Sequence, residues 1–354
     1  MVTSILLVMI GIALVLLAAS DFAFTAFVLT GEGVITARLG RGIYNFMQWL
    51  AGHDGRNQLL NYIGLVTIFS IITVWILLLW TGFTFIFAAD TNSILVGQDK
   101  TPADIFEKVY HVGYTLSTLG MGDFVPGNDF WRILTSFISF VGMVLVTMSI
   151  SYLVPVLSNA IHKRSLSLQI SSLGATPEEI VINSYNGKDF SSATGALSDL
   201  SAEIFLYTQN HLAYPILHYM HSNTPSENIA LKLTALDEAL TIFMFHVPEA
   251  QRPDELQLQS VRRAITAYLT TITYLEPASE PPPLPRFQII EDHTGVKLDR
   301  TSPLDARELY HGLEKRRKLL LADLRDGGWQ WDDIGGEKYE TDLDVPFANK
   351  LLTS

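Results

Sequence analysis

The stretch Thr118-Leu119-Gly120-Met121-Gly122-Asp123-Phe124-Val125-Pro126 decides the reading of this 354-residue chain. It lies between two uncharged apolar runs, Tyr62 to Ala89 and Ile133 to Ile161. Each run is long enough to cross the roughly 30 Å of a bilayer's hydrocarbon as a helix. Ahead of the stretch stands Thr101-Pro102-Ala103-Asp104, in which Thr101 can cap a helix, Pro102 suits a first turn and Asp104 favours the positive helix end. The pattern predicts a helix over 102–117, about 24 Å long and too short to span and return. Such a helix enters the membrane and stops midway. Alternate glycines after it let the backbone point successive carbonyls one way, and exposed carbonyls at membrane depth are tolerated only around a water-filled or ion-filled path.

A third uncharged run, Val2 to Ser20, opens the chain, and its apolar pattern continues past Asp21. Only helices or a closed barrel satisfy backbone groups in lipid, so the expectation is an all-α membrane protein. No Lys or Arg precedes the first run, which argues against a cleaved leader despite the small residues Ala18-Ala19-Ser20. Arg38, Arg41 and Arg56 follow the first run, and Lys163-Arg164 follow Ile161. These basic residues predict a multi-pass protein of the cell (plasma or inner) membrane, with its N-terminus and residues 90–129 outside and its C-terminus in the cytoplasm. Between the first two runs, Val34 to Leu50 carries Ile35, Leu39, Ile43, Phe46, Met47 and Leu50 at helical spacing, as an amphipathic helix on the inner membrane surface does.

The sequence T-L-G-M-G-D with a proline shortly after resembles the T-V-G-Y-G-D signature of the potassium-channel superfamily. The resemblance covers residues 62–161 as outer helix (62–89), pore helix (102–117), filter (118–123) and inner helix (131–161). It implies that the carbonyls of Thr118, Leu119, Gly120 and Met121, with Gly122 closing the strip, bind dehydrated potassium ions. It also implies that four identical chains surround the path, because one chain supplies one loop. The permeant ion is then potassium, and no cofactor is expected. Met121 stands where the signature has tyrosine, so the phenolic hydroxyl that tethers the filter in relatives is absent. A weaker preference for potassium over sodium follows.

The resemblance also implies two residues that support the filter: Tyr114, four positions before Thr118 on the side from which relatives hold the filter, and Asp123, either hydrogen-bonded to each other or with Tyr114 simply packed and its tip wet. In the inner helix, Gly142 falls where the family often has a hinge glycine, so the resemblance implies a gating hinge, while its small size equally suits a close-packing site. Thr147, Ser149 and Ser151 offer hydroxyls to a cavity; Val154-Pro155-Val156 resembles the P-V-P stretch of voltage-gated channels, displaced by about one turn, and that resemblance implies a lower gate at Pro155, where proline breaks the helical ladder. Asp21 is either an ion-pathway carboxylate or, at the inner interface, a partner for Arg38 or Arg41. No span carries arginine at every third position, which excludes a voltage sensor of that kind.

The chain divides into an N-terminal helix (1–31), an interfacial segment (32–61), the pore domain (62–161), a helical cytoplasmic domain (162–276) and a Pro-rich linker, charged helix and acidic tail (277–354). Of the 24 Lys and Arg only six, and of the 36 Asp and Glu only nine, fall in the first 160 residues. The acidic remainder excludes nucleic acid as a partner, and the absence of cysteine excludes disulfides and thiolate metal sites. Helical spacing appears over 168–173, 197–221, 227–245 and 256–274, with starts at Thr176-Pro177 and Thr224-Pro225. Pro281-Pro282-Pro283-Leu284-Pro285 reads as an extended linker, and Ser302-Pro303 starts a charged helix through Glu308 that ends at Gly327-Gly328. His211, Tyr214, His218 and His221 share a helical face, as a metal or pH site or as a packed surface, and Lys315 to Lys318 is read as a solvated face or a lipid contact. No nucleophile and base pair or phosphate-cradling loop stands out, so an enzyme is not expected. The leading expectation is a conducting channel gated through its cytoplasmic domain, possible regulators of that domain being unknown. The competing one is a membrane-anchored interaction or sensor protein that uses a non-conducting pore fold to assemble.

Overall fold

The computed structural model describes residues 1–28, 31–299 and 303–335, with the side chains of 303–312 and 335 outside the description. Eleven α-helices and one pair of short strands occur among the described residues. They fall into two compact units: Met1–Phe46, Tyr62–Ser158 and Leu212–Tyr219 form the first, and Met47–Asn61, Asn159–His211 and the chain from Met220 onward form the second. This grouping departs from the division read in the sequence at three places, the pore segment ending at Ser158 instead of 161. Residues 47–61 join the second unit, and 212–219 join the first.

In the first unit, α1 (Val2–Phe27) packs along α3 (Ile63–Ala88). The contact depends on two glycines: a Cβ on Gly11 would lie 2.5 Å from the Gly82 carbonyl oxygen, and one on Gly82 would lie 2.9 Å from that of Gly11. Small residues of this kind let helix backbones approach where lipid removes any hydrophobic drive. Elsewhere α1 turns Ile5, Leu6, Met9 and Leu16 outward, as a lipid-facing surface requires. Both helices, with α5 (Asp129–Leu173), are long and apolar enough to span a membrane.

Asp21 is buried between α1, α3 and α2 (Val34–Leu50). Its carboxylate accepts from the Ile35 N–H at 2.7 Å, the Thr36 hydroxyl at 2.7 Å and the Trp75 indole N–H at 2.9 Å. It therefore caps the N-terminus of α2, where an anion meets the helix dipole and unpaired N–H groups. This replaces the expected pairing with Arg38 or Arg41. The positive helix end satisfies the carboxylate at closer range than either arginine.

In the second unit, α8 (Ile229–Phe245) is buried almost all round and forms the centre. Around it lie α6 (Pro177–Asn183), α7 (Ala193–Ala213), α9 (Glu255–Thr271), α10 (Phe287–Thr294) and α11 (Pro303–Asp326). Thr176 caps α6 as the sequence predicts, its hydroxyl accepting from the Glu179 N–H. After Thr224-Pro225 only a 3₁₀ turn forms, and Asn228 caps α8 instead.

Two further expectations change here. The run Lys315 to Lys318 is not a solvated face, because Arg316 holds the buried Asp237 at 2.5–3.0 Å and Arg317 holds Glu238 at 2.8 and 2.9 Å. Burial pushes the Glu238 carboxyl up, while Asp237, despite its burial, is held low by Arg262 and Arg316. Removing one partner of a buried pair of this kind costs about 3–5 kcal/mol. Nor is the proline run a free linker: the Pro282 and Pro283 carbonyls accept from Arg317, and the Arg286 N–H donates to Glu178. α11 starts at Pro303 and ends before Gly327-Gly328 as predicted; Ser302, the Glu308 side chain and the acidic tail from 336 lie outside the described residues.

Candidate functional site

Between α3 and α5 the chain forms a half-helix, α4 (Ile105–Leu116), and then a strip without regular structure over 117–123. α4 starts three residues later than predicted. Residues 101–103 pair instead with the strand β1 (Ile94–Val96): the Val96 N–H donates to Thr101 and the Ala103 N–H to Ile94. Asp104 takes over the cap, accepting from the Glu107 N–H at 2.8 Å while the Glu107 carboxylate accepts from the Asp104 N–H at 2.7 Å. β1 also pairs antiparallel with β2 (Phe124–Pro126), which follows the strip, in the register Ile94↔Pro126, Leu95↔Val125 and Val96↔Phe124. This two-stranded ladder is absent from the sequence reading. Each strand has only three residues, and the partners are separated by the whole of α4 and the strip.

Within the strip, φ is +59° at Thr118, +59° at Gly120 and +83° at Gly122, with Leu119 and Met121 at ordinary negative values between them. Glycine adopts positive φ freely, but a β-branched residue such as Thr118 does so only when its surroundings force it. An extended strand points successive carbonyls to opposite sides. Left-handed residues at every second position reverse alternate peptide units and bring successive carbonyls toward one side. The strip is exposed in the single chain, Leu119 by 64% and Met121 by 52%.

Hydrogen bonds fasten it at both ends. At its base, the Leu119 N–H donates to the Tyr114 carbonyl at 2.9 Å and the Thr118 N–H to that of Thr115 at 3.0 Å. At its top, the Gly97 N–H donates to the Asp123 carbonyl at 2.8 Å. The Tyr114 hydroxyl donates to the Phe124 carbonyl at 2.9 Å, so its partner is this main-chain oxygen and not the expected Asp123 carboxylate. β2 places the Phe124 carbonyl over α4, while the Asp123 side chain is exposed. Gly142 touches the end of α4, where a Cβ would lie 1.9 Å from the Leu116 carbonyl oxygen. Of the two readings of Gly142, close packing fits this geometry.

Residues 65–159 match the ion-channel family. Over 324 residues the chain is 32% identical to "Uncharacterized membrane protein YdjJ" of Bacillus subtilis (strain 168), with 91% of this chain and 94% of the relative covered. The chain belongs to this membrane-protein family and carries a potassium-channel-type pore domain. No solved structure matches it. The family match is to a channel and not to an enzyme.

Around the strip, several acidic residues have structural duties. Asp90 accepts from the Trp131 indole at 2.9 Å, Asp104 and Glu107 cap α4, and Asp129 pairs with Arg132 at 3.0 Å. Lys108 is buried and donates to the Phe87 and Asp90 carbonyls. In α5, Asn128 caps the start and the helix runs 12 residues beyond the predicted end at Ile161. Pro155 lies inside it and deprives the Ser151 carbonyl of its helical donor. The Thr147 and Ser151 side chains are exposed and bond back to Met143 and Thr147, whereas Ser149 is buried and does not share their surface.

The histidine face read in the sequence is split. α7 ends at Ala213 because Pro215 cannot continue it and disfavours helical geometry at Tyr214. His211 closes α7 and meets Thr271, His218 lies in a 3₁₀ turn beside Tyr44, and His221 stacks on Trp329. No cluster of three metal-ligating side chains forms among the described residues. Sequence reasoning missed His111, buried one helical turn before Tyr114 with its Nδ1 2.6 Å from the Tyr114 hydroxyl. Its spacing of three from Tyr114 was the available signal.

Proposed function

We propose that four copies of this chain form a passive cation channel that prefers potassium, with the carbonyls of Thr118, Leu119, Gly120 and Met121 as ion ligands and Gly122 closing the strip. The observation that carries this reading is the alternation of positive φ at Thr118, Gly120 and Gly122 directly beyond a capped half-helix. A strip with its carbonyls turned one way can replace an ion's hydration shell only when copies surround a common axis. The exposure of residues 117–123 in one chain suits such an assembly. α4 aims its carbonyl end at the strip, which favours a cation there.

Basic residues at 38, 41, 56, 163 and 164 support an orientation with the C-terminal unit in the cytoplasm. Gating is assigned to movement of α5 near Pro155, because the proline leaves the Ser151 carbonyl without its helical donor inside that helix. Met121 offers no hydroxyl to brace the strip, so the preference for potassium over sodium is expected to be modest.

Purified protein in planar bilayers under opposed potassium and sodium gradients tests this reading. A reversal potential displaced toward that of potassium supports it. Equal permeability refutes the selectivity, and absence of any cation current leaves the fold as a membrane-anchored assembly unit.

A further inference from the structure

Tyr114 touches both ends of the strip. Its carbonyl accepts from the Leu119 N–H at 2.9 Å at the base, and its hydroxyl donates to the Phe124 carbonyl at 2.9 Å at the top. A phenol has one proton to donate, and a carbonyl can only accept. With the Tyr114 proton on the Phe124 carbonyl, the 2.6 Å contact between its oxygen and His111 Nδ1 is a hydrogen bond only if Nδ1 is the donor. On its other side, His111 Nε2 lies 3.5 Å from the Thr135 hydroxyl, too far for a strong bond, so the 2.6 Å contact at Nδ1 has the stronger claim on the ring's one proton. The imidazole is fixed between edge-on rings of Phe87 and Tyr114, and it is 1% exposed. A fully buried donor in a fixed ring leaves the hydroxyl a single direction.

We propose that His111 is a positioning residue for ion selectivity: its Nδ1–H aims the Tyr114 hydroxyl at the Phe124 carbonyl and so sets the span over which the strip Thr118–Gly122 is held. This rests on the channel reading given above. The other upper anchor, Gly97 to Asp123, does not pass through His111 and persists when the histidine is changed. Losing His111 therefore loosens the strip without releasing it.

The test uses the full-length protein in bilayers with His111→Phe, which keeps a ring but no donor, His111→Asn, which keeps a donor, Tyr114→Phe, and the His111→Phe/Tyr114→Phe double variant. The potassium-to-sodium permeability ratio should fall about three- to tenfold in each Phe variant, the scale of one net hydrogen bond. The double variant should fall no further than Tyr114→Phe alone, and His111→Asn should recover part of the ratio. A reduced number of active channels, the effect of a merely structural role, leaves this ratio unchanged. An unchanged ratio in His111→Phe beside a lowered one in Tyr114→Phe, or multiplied losses in the double variant, would overturn the proposal.

A second measurement does not depend on conduction. Nitrogen NMR of histidine-labelled protein, with the His111 signal assigned by its loss in His111→Phe, should show Nδ1 protonated and its resonance displaced in Tyr114→Phe. An imidazole protonated on Nε2 alone overturns the assignment even if the wild-type protein carries no current. Equal sodium and potassium permeability in a wild type with the expected tautomer refutes the channel's selectivity and, with it, the role of His111 in selectivity.

Discussion

Replacing Gly142 by alanine should separate the inner helix from the pore helix and damage the strip from behind. The added Cβ would lie 1.9, 2.7 and 3.0 Å from the O, C and Cα atoms of Leu116, all of them backbone atoms that no rotamer change can move. Ordinary contact begins at 3.4 Å, so the two helices must part by roughly 1.5 Å at this point. Two effects oppose each other. Alanine favours a helix over glycine by about 1 kcal/mol, whereas overpacking costs about 1–3 kcal/mol and more when the backbone must move. The clash wins. Leu116 ends the turn whose Tyr114 carbonyl holds Leu119, so the displacement reaches the strip. The assay is heat stability of the detergent-solubilised protein together with the reversal potential, with Met143→Ala, an exposed neighbour on the same helix, as the control. Gly142→Ala should melt several degrees lower and lose selectivity, and Met143→Ala should do neither. If Gly142→Ala kept its melting temperature and selectivity and changed only open probability, Gly142 would be a hinge and the packing argument would be wrong.

Two further outcomes are expected. Asp21→Ala strands the Ile35 N–H, the Thr36 hydroxyl and the Trp75 indole in a buried site and should destabilise the first unit by about 3–5 kcal/mol; Trp75→Phe, which removes one of these bonds, should lose about 1–2 kcal/mol beyond the ring change. Equal melting temperatures for Asp21→Ala and wild type in detergent would contradict the capping role. The second concerns acid: burial pushes His221 down to about 4, so between pH 6.5 and 4 the unfolded chain binds a proton that the folded one refuses. Stability of the second unit should therefore fall as pH drops through that window, by at most ~3 kcal/mol from this residue. Burial lowers His246 in the same direction. Hydrogen exchange around Trp329, which stacks on His221, should report the loss, and His221→Phe should flatten the dependence; a wild-type profile level from pH 7 to 4 would refute it.

The local chemistry of the backbone was legible in the sequence by itself. Three uncharged apolar runs become membrane-length helices because lipid leaves their backbone groups no other partner. Alternate glycines at 120 and 122 mark where left-handed geometry is available, Pro177 opens α6, and Gly327-Gly328 follows the end of α11. Choices among partners distant in the chain were not legible. Asp21 is drawn to the start of α2 instead of an arginine, Tyr114 finds the Phe124 carbonyl instead of the Asp123 carboxylate, and Arg316 and Arg317 turn inward to carboxylates 79 residues away. The strand pair β1 and β2 closes across the intervening half-helix and strip, and it displaces the cap of α4 from Thr101 to Asp104. Hydropathy and glycine act on the residues that carry them and can be read one position at a time. Hydrogen-bond partners are settled by which groups packing brings within 3 Å, and only the tertiary structure decides that.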